Sequence, residues 1–235
     1  MTSVSTFSIA RRFCGPPDSG NGGYVAGTLA AALGGNAKVR LHAPPPLERE
    51  LRIECDDREA KLLDDDQLLA SGVADLDPIE VPPALSAEAA ERAAARSRVF
   101  EEHVFPTCFV CGPDRAEGDG LRIFAGPHDP QARIVAAPWT PDASLCDGSG
   151  RVRTEFLWAA LDCPGAFSFP QPPTPVLLGE LAVQVDAPVA GGETCVLVAH
   201  EVEHRGRKHR TATGLYGQSG ELRARSLATW IELSA

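Results

Sequence analysis

Residues 21–30 read Asn21-Gly22-Gly23-Tyr24-Val25-Ala26-Gly27-Thr28-Leu29-Ala30, and the run of Ala and Leu continues to Leu33. Alanine and leucine are strong helix formers, and the stretch carries no charge, so it predicts a buried helix. Asn21 suits the N-cap, where its side-chain oxygen accepts a first-turn N–H. The segment before it, Cys14-Gly15-Pro16-Pro17-Asp18-Ser19-Gly20, is turn-forming. Upstream, Phe7 to Phe13 reads as a short strand. Downstream lie strand-like runs over Ala37–Leu47 and Leu51–Glu54, a third containing Leu62 and Leu63, and, after the acidic turn Asp64-Asp65-Asp66, a fourth over Leu68–Leu76. The order is one helix followed by several strands.

Proline and acid break the pattern from Asp77 to Pro83, and Ser86 to Glu102 then has the composition of a charged linker helix. The second half repeats the first order. Leu121–Gly126 and Ala132–Ala137 are strand-like, a long loop runs through Trp139 and Gly150, and Thr154–Asp162 reads as a helix stopped by Cys163-Pro164-Gly165. Strands follow. Two short matches tie the halves together: Val39-Arg40-Leu41-His42-Ala43-Pro44 with Val183-Gln184-Val185-Asp186-Ala187-Pro188, and Gln67–Ala74 with Glu221–Ala228. They occur in the same order and in equivalent elements, which predicts a duplicated α+β unit. The expected division is a first repeat over residues 1–83, a linker helix and CxxC turn over 84–118, and a second repeat over 119–235.

Composition narrows the function. The 235 residues hold 22 Lys and Arg against 32 Asp and Glu, a formal charge of -10, which disfavours a broad grip on nucleic acid or anionic lipid. No apolar run approaches the roughly 20 residues of a spanning helix, and Met1 to Phe13 lacks a signal-peptide core, so a cytoplasmic protein with no membrane partner is expected. The seven cysteines are odd in number and scattered, as in a reduced compartment. Neither a G-x-S-x-G elbow, a Walker A loop nor a dinucleotide-binding glycine fingerprint occurs.

Three stretches carry a family resemblance. Asn21–Ala30 resembles the glycine-led start of the first helix of the thioesterase-like hotdog superfamily. Glu155–Gly165, EFLWAALDCPG, resembles its second helix with an acid near the end, and Gly206–Leu233 resembles its last hairpin. The resemblance covers nearly the whole chain and implies a double hotdog, in which two central helices are each wrapped by antiparallel strands. It also implies an acyl thioester of coenzyme A or acyl carrier protein bound in a tunnel between the helices. No cofactor is implied, and the double unit is compatible with assembly into a homo-oligomer. In the acyl-CoA thioesterases of this type a hydroxyl residue and a glutamine support the helix acid. Here those positions fall near Leu178 and Ala212, both apolar.

The residues offered for chemistry follow. Asp162 ends an apolar helix, where a buried carboxylate must be hydrogen-bonded or used. It is the candidate general base or nucleophile, with Glu180 as the acid expected to face it. The helix start from Asn21 through Gly22, Gly23 and Tyr24 is assigned to substrate binding, its amides to an oxyanion or a phosphate. Arg207 and Lys208, in the basic cluster from Arg205 to Arg210, are candidates for coenzyme A phosphates or an acidic carrier protein. Cys108 and Cys111, with His103, form half a zinc-ligand set. No second CxxC or H-x3-5-H follows, and completion would need distant Cys146 or His128, so no metal is expected. The reading is an acyl-CoA thioesterase-like hydrolase. Its alternatives are a non-catalytic acyl-thioester binding protein and a hotdog dehydratase or hydratase using His42 or His103.

Overall fold

The structure, a computed structural model, describes residues 2–170 and 175–233. Helix α1 (Gly22–Ala32) begins where Asn21 Oδ1 accepts the Tyr24 N–H, the cap expected from the sequence. It is buried on nearly every face, as an uncharged helix must be. Helix α3 (Thr154–Ala160) lies against it, and a 3-10 turn over Cys163–Phe167 stops the chain after Asp162. Helix α2 (Ala87–Ala94), capped by Ser86, covers the first part of the stretch expected to be helical to Glu102, and a separate 3-10 turn follows over Arg98–Phe100.

Among the described residues eleven antiparallel strands form one sheet. In chain order they are β1 (Ser3–Ser8), β2 (Ala37–Leu41), β3 (Glu50–Cys55), β4 (Glu59–Asp64), β5 (Gln67–Val73), β6 (Gly126–Asp129), β7 (Ile134–Trp139), β8 (Val176–Val185), β9 (Cys195–Arg205), β10 (Lys208–Tyr216) and β11 (Leu222–Glu232). Their order across the sheet is β1-β3-β4-β5-β2-β8-β11-β10-β9-β7-β6. The strands of one half therefore repeat those of the other about the central β2–β8 pair, with β6 as an addition.

The two sequence matches hold in the register. Ala37 pairs with Val183 and Val39 with Leu181, while Lys38 faces Ala182. Exchanging the matched residues maps these pairs onto each other, so a pseudo-twofold axis passes by Lys38 and Ala182. Val39 also pairs with Gly72, and its counterpart Val183 pairs with Ser226, which is Gly72's counterpart in the second match. Duplication is thus written into the hydrogen bonding as well as the residue string.

The sheet's concave face packs on α1 and α3 through Val25, Leu29, Phe156, Trp158, Val39, Leu181 and Val183, all buried. Burying a side chain of this size contributes about 1.5–3 kcal/mol. On the convex face Ala90 and Ala93 of α2 cover Ala136, Val196, Val198 and Tyr216. Close approach of the two central helices depends on glycine. A Cβ at Gly27 would lie 2.6 Å from Trp158 Cβ and 2.7 Å from Glu155 Cα, and one at Gly23 would lie 2.5 Å from Asp162 Cβ.

Some elements differ from expectation. The first strand covers Ser3–Ser8, and Arg11–Phe13 forms a 3-10 turn instead of continuing it. The second strand stops at Leu41, before the prolines from Pro44 to Pro46 that cannot donate to a ladder. Leu121–Ala125 is not a ladder strand. Its Leu121 and Ile123 amides donate to the carbonyls of Phe109 and Val110, so it tucks against the CxxC turn.

Candidate active site

The end of α3 meets the start of α1, and this junction places Asp162. Its side chain is 1% exposed. Oδ2 accepts the Gly23 N–H at 3.0 Å and the Asn21 side-chain N–H at 3.2 Å. Asn21 is oriented by its own cap bond, because its oxygen is engaged by Tyr24 N–H at 2.9 Å and its nitrogen must then face the carboxylate. The acid at one helix terminus is therefore held by the positive end of the other. Oδ1 has no hydrogen-bond partner among the described residues. Burial pushes the Asp162 pKa up to about 7, reinforced by charge at Cys108 and opposed by the Gly23 and Asn21 donors.

A cavity of about 750 Å³ opens on this junction, a size suited to a small organic group. Asp162, Cys163, Asn21 and Gly22 line it, and Leu41, Val176, Leu178 and Ile231 are among the apolar lining. The N–H of Gly22 belongs to the first turn of α1 and has no intrahelical acceptor. A Cβ on Gly22 would lie 2.9 Å from Leu178 Cδ2 and 3.1 Å from Leu41 Cδ1, so glycine suits the close approach of these side chains to the helix start. His42, Arg98, Glu101, Glu102 and His103 bring polar and charged groups to the lining. The Arg98 guanidinium donates to the Phe169 and Ala166 carbonyls at 3.0 and 2.8 Å.

The structure brings together Asp162, Asn21, Gly22 and Gly23 and separates the other candidates. Glu180 does not line the cavity. Gly179 is the extra residue of a bulge opposite Thr229 and Trp230, and the bulge turns Leu178 toward the helix start and Glu180 toward Arg40, 3.9 Å away. Tyr24 is also absent from the lining. Its ring stacks on Phe13 at a centroid distance of 4.3 Å, within a cluster that includes Phe109 and Phe156. Arg207 and Lys208 stand outside the cavity on the β9–β10 hairpin, although Lys208 pairs with Ile231, which lines it. Leu178 does reach the site, whereas Ala212 points to the opposite face from its neighbours Thr211 and Thr213. Those two hydroxyls, fully buried and without partners among the described residues, face the concave side; Thr211 approaches the turn at Gly165.

One grouping was not legible in the sequence. Cys163, expected only to help stop a helix, joins Cys108 and Cys111, and the three sulfurs lie within 4.8 Å of one another. Cys146 and His128 take no part in that group. His103 Nε2 is 3.2 Å from Cys111 Sγ, and its Nδ1 accepts the Phe105 N–H at 2.9 Å. A separate group, His209 between Glu201 and Glu232 at 2.8 Å each, ties the basic hairpin to the sheet.

No family model matches the sequence, and no curated protein matches it. Solved structures do. The chain is similar to the tesB protein of Mycobacterium avium subsp. paratuberculosis, with a TM-score of 0.66 at 10% identity over 98% of this chain and 93% of that one. It is similar to a provisionally named thioesterase II of Thermobifida fusca, with a TM-score of 0.62 at 14% identity over 98% and 92%. A GphF dehydratase variant gives 0.61 at 13% identity over 99% and 94%. The chain therefore has the α+β double hotdog fold, with TesB-like neighbours along nearly its whole length. Identity this low establishes the fold, and one fold hosts several chemistries. Among the described residues no helix is long and apolar enough to cross a membrane.

Proposed function

We propose that the chain hydrolyses an acyl thioester, of coenzyme A or acyl carrier protein, in the cavity that opens where the start of α1 meets the turn after α3, with residues 1–83 and 119–235 as the two repeats. The observation that carries this reading is the buried Asp162 carboxylate, with Oδ2 fixed by Gly23 and Asn21, Oδ1 without a partner among the described residues, and the residue itself in the lining of a largely apolar cavity. Asp162 acts as general base: Oδ1 takes a proton from a water whose oxygen attacks the thioester carbonyl. The Gly22 N–H, which Asp162 does not occupy, stabilises the oxyanion. Collapse breaks the C–S bond, and the departing thiolate takes up the proton that Asp162 received. The acyl chain lies along Leu41, Val176, Leu178 and Ile231, and Arg207 and Lys208 offer cations to phosphate groups beyond the mouth.

A second reading, a non-catalytic acyl-thioester binder, is favoured by two specific features. Leu178 occupies the position where a supporting hydroxyl is expected, and the Gly23 amide is already engaged by Asp162. Dehydration has less support, because both ring nitrogens of His103 are engaged and His42 is bonded to Ser71 at 2.8 Å. Thiol release from a panel of short, aromatic and long acyl-CoA esters, run beside thermal stabilisation by a non-hydrolysable acyl-CoA analogue, separates the readings. Turnover and stabilisation support the hydrolase, stabilisation without turnover supports the binder, and neither removes both.

A further inference from the structure

The three-thiol cluster is not used by the hydrolysis proposed above, yet it is built as metal sites are built. Cys108 and Cys163 sulfurs are 3.8 Å apart, which is the separation of about 3.8 Å between two thiolates each ~2.3 Å from a tetrahedral zinc ion. Cys111 lies within the same 4.8 Å group, and His103, whose Nε2 is 3.2 Å from the Cys111 sulfur, lies outside it and would have to close on a bound ion. All three residues are buried, whereas His103 is only partly so. The turn is closed by its own backbone: the Cys108 N–H donates to the Phe105 carbonyl and the Gly112 N–H to the Cys108 carbonyl, each at 2.9 Å. Gly112 packs so tightly that a Cβ there would lie 2.5 Å from the Cys108 and Pro106 carbonyl oxygens. Arg98, electrostatically coupled to both Cys111 and His103, supplies positive charge beside what would be a net anionic centre.

We propose that Cys108, Cys111, Cys163 and His103 form a tetrahedral Cys3His site for one Zn²⁺. Three soft thiolates and an imidazole select zinc over hard cations such as Mg²⁺ or Ca²⁺. Binding displaces the remaining thiol protons to solvent. Coordination through His103 Nε2 also moves the imidazole proton to Nδ1, so the Phe105 N–H gives up its present acceptor. Four protein ligands close the shell, so the ion is structural. It pins the linker turn carrying His103, Cys108 and Cys111 to the end of the second-repeat helix at Cys163, the residue next to Asp162. The inference is independent of the hydrolase reading, since it concerns the ligands and not the reaction.

The test uses the full chain, purified under reductant with all seven thiols free. Elemental analysis after growth with zinc is expected to give one zinc per chain. Exchange with Co²⁺ is expected to give thiolate-to-cobalt charge transfer and the intense visible bands of tetrahedral cobalt. Cys163→Ser should lower Zn²⁺ affinity by at least about tenfold and weaken the charge-transfer band, while Cys146→Ser, outside the cluster, should change neither. If Cys163→Ser does not fold, His103→Ala serves, because His103 is partly exposed: it should keep thiolate charge transfer and lose at least about tenfold in affinity. Wild-type protein with seven titratable thiols that binds neither Zn²⁺ nor Co²⁺, or binding unchanged in both Cys163→Ser and His103→Ala, overturns the site.

Discussion

Gly27→Ala puts the packing account at risk, because helix propensity and tertiary contact predict opposite signs. In an exposed helix, replacing glycine by alanine stabilises by about 0.5–1 kcal/mol. At Gly27 the new methyl would lie 2.6 Å from Trp158 Cβ and 2.7 Å from Glu155 Cα. Carbon atoms rest at about 3.5–4.0 Å, so the shortfall is about 1 Å. Neither neighbour can rotate away, since one is a Cβ and the other a Cα. The two helices must separate, and overpacking of this kind costs about 1–3 kcal/mol. After the propensity gain the net expectation is a loss of roughly 0.5–2 kcal/mol, or about 1–8 °C in Tm for a chain of this size. Urea unfolding with an unchanged slope would measure it. Ala31→Gly, on an exposed part of the same helix, should cost about 0.5–1 kcal/mol by propensity alone. A Gly27→Ala protein as stable as wild type, or more so, would refute the glycine-dependent contact between α1 and α3.

Further outcomes follow from the same geometry. Asn21→Ala removes the cap of α1 and one of the two donors on Asp162; it should destabilise by about 0.5–2 kcal/mol in chemical denaturation and lower turnover as well. Residues 1–83 expressed alone should be insoluble or molten by near-ultraviolet circular dichroism, because β2 would lose β8 and α1 would lose α3; a monomeric fragment that unfolds cooperatively would contradict the mutual burial. In single-turnover hydrolysis with ¹⁸O-labelled water, general-base action predicts label in the acid product and none in the Asp162 peptide. Label in that peptide would mean nucleophilic attack by the carboxylate instead.

The sequence was most legible where local pattern and tertiary role coincide. Asn21 reads as a cap and is one, and the uncharged Ala/Leu run after it is a buried helix. The match of Val39 with Val183 could be found by eye, and the β2–β8 register is symmetric about it, Ala37 pairing with Val183 as Val39 pairs with Leu181. Asp162 stood out because a carboxylate ending an apolar helix demands an explanation, and the structure supplies two donors for one of its oxygens. What failed did so for physical reasons. Strand alternation could not place Glu180, because the bulge at Gly179 reverses the faces. Tyr24 shares the helix start with Gly22 and Gly23, but its ring belongs to the aromatic cluster behind them. Cys163 lies 52 residues beyond Cys111, and no spacing rule reaches across that distance. The only local cue was a cysteine placed where a plain helix stop needs just proline and glycine.

The hydrolase reading meets its most direct test in Asp162→Asn, assayed for acyl-CoA turnover and, in the same preparation, for binding of a non-hydrolysable acyl-CoA analogue. The amide keeps the shape of the side chain and can still accept from Gly23 and Asn21, but it cannot take a proton from water. The account predicts turnover lower by about 10²-fold or more, with analogue binding retained. Turnover equal to that of the wild type, in a variant that binds the analogue normally, would contradict it.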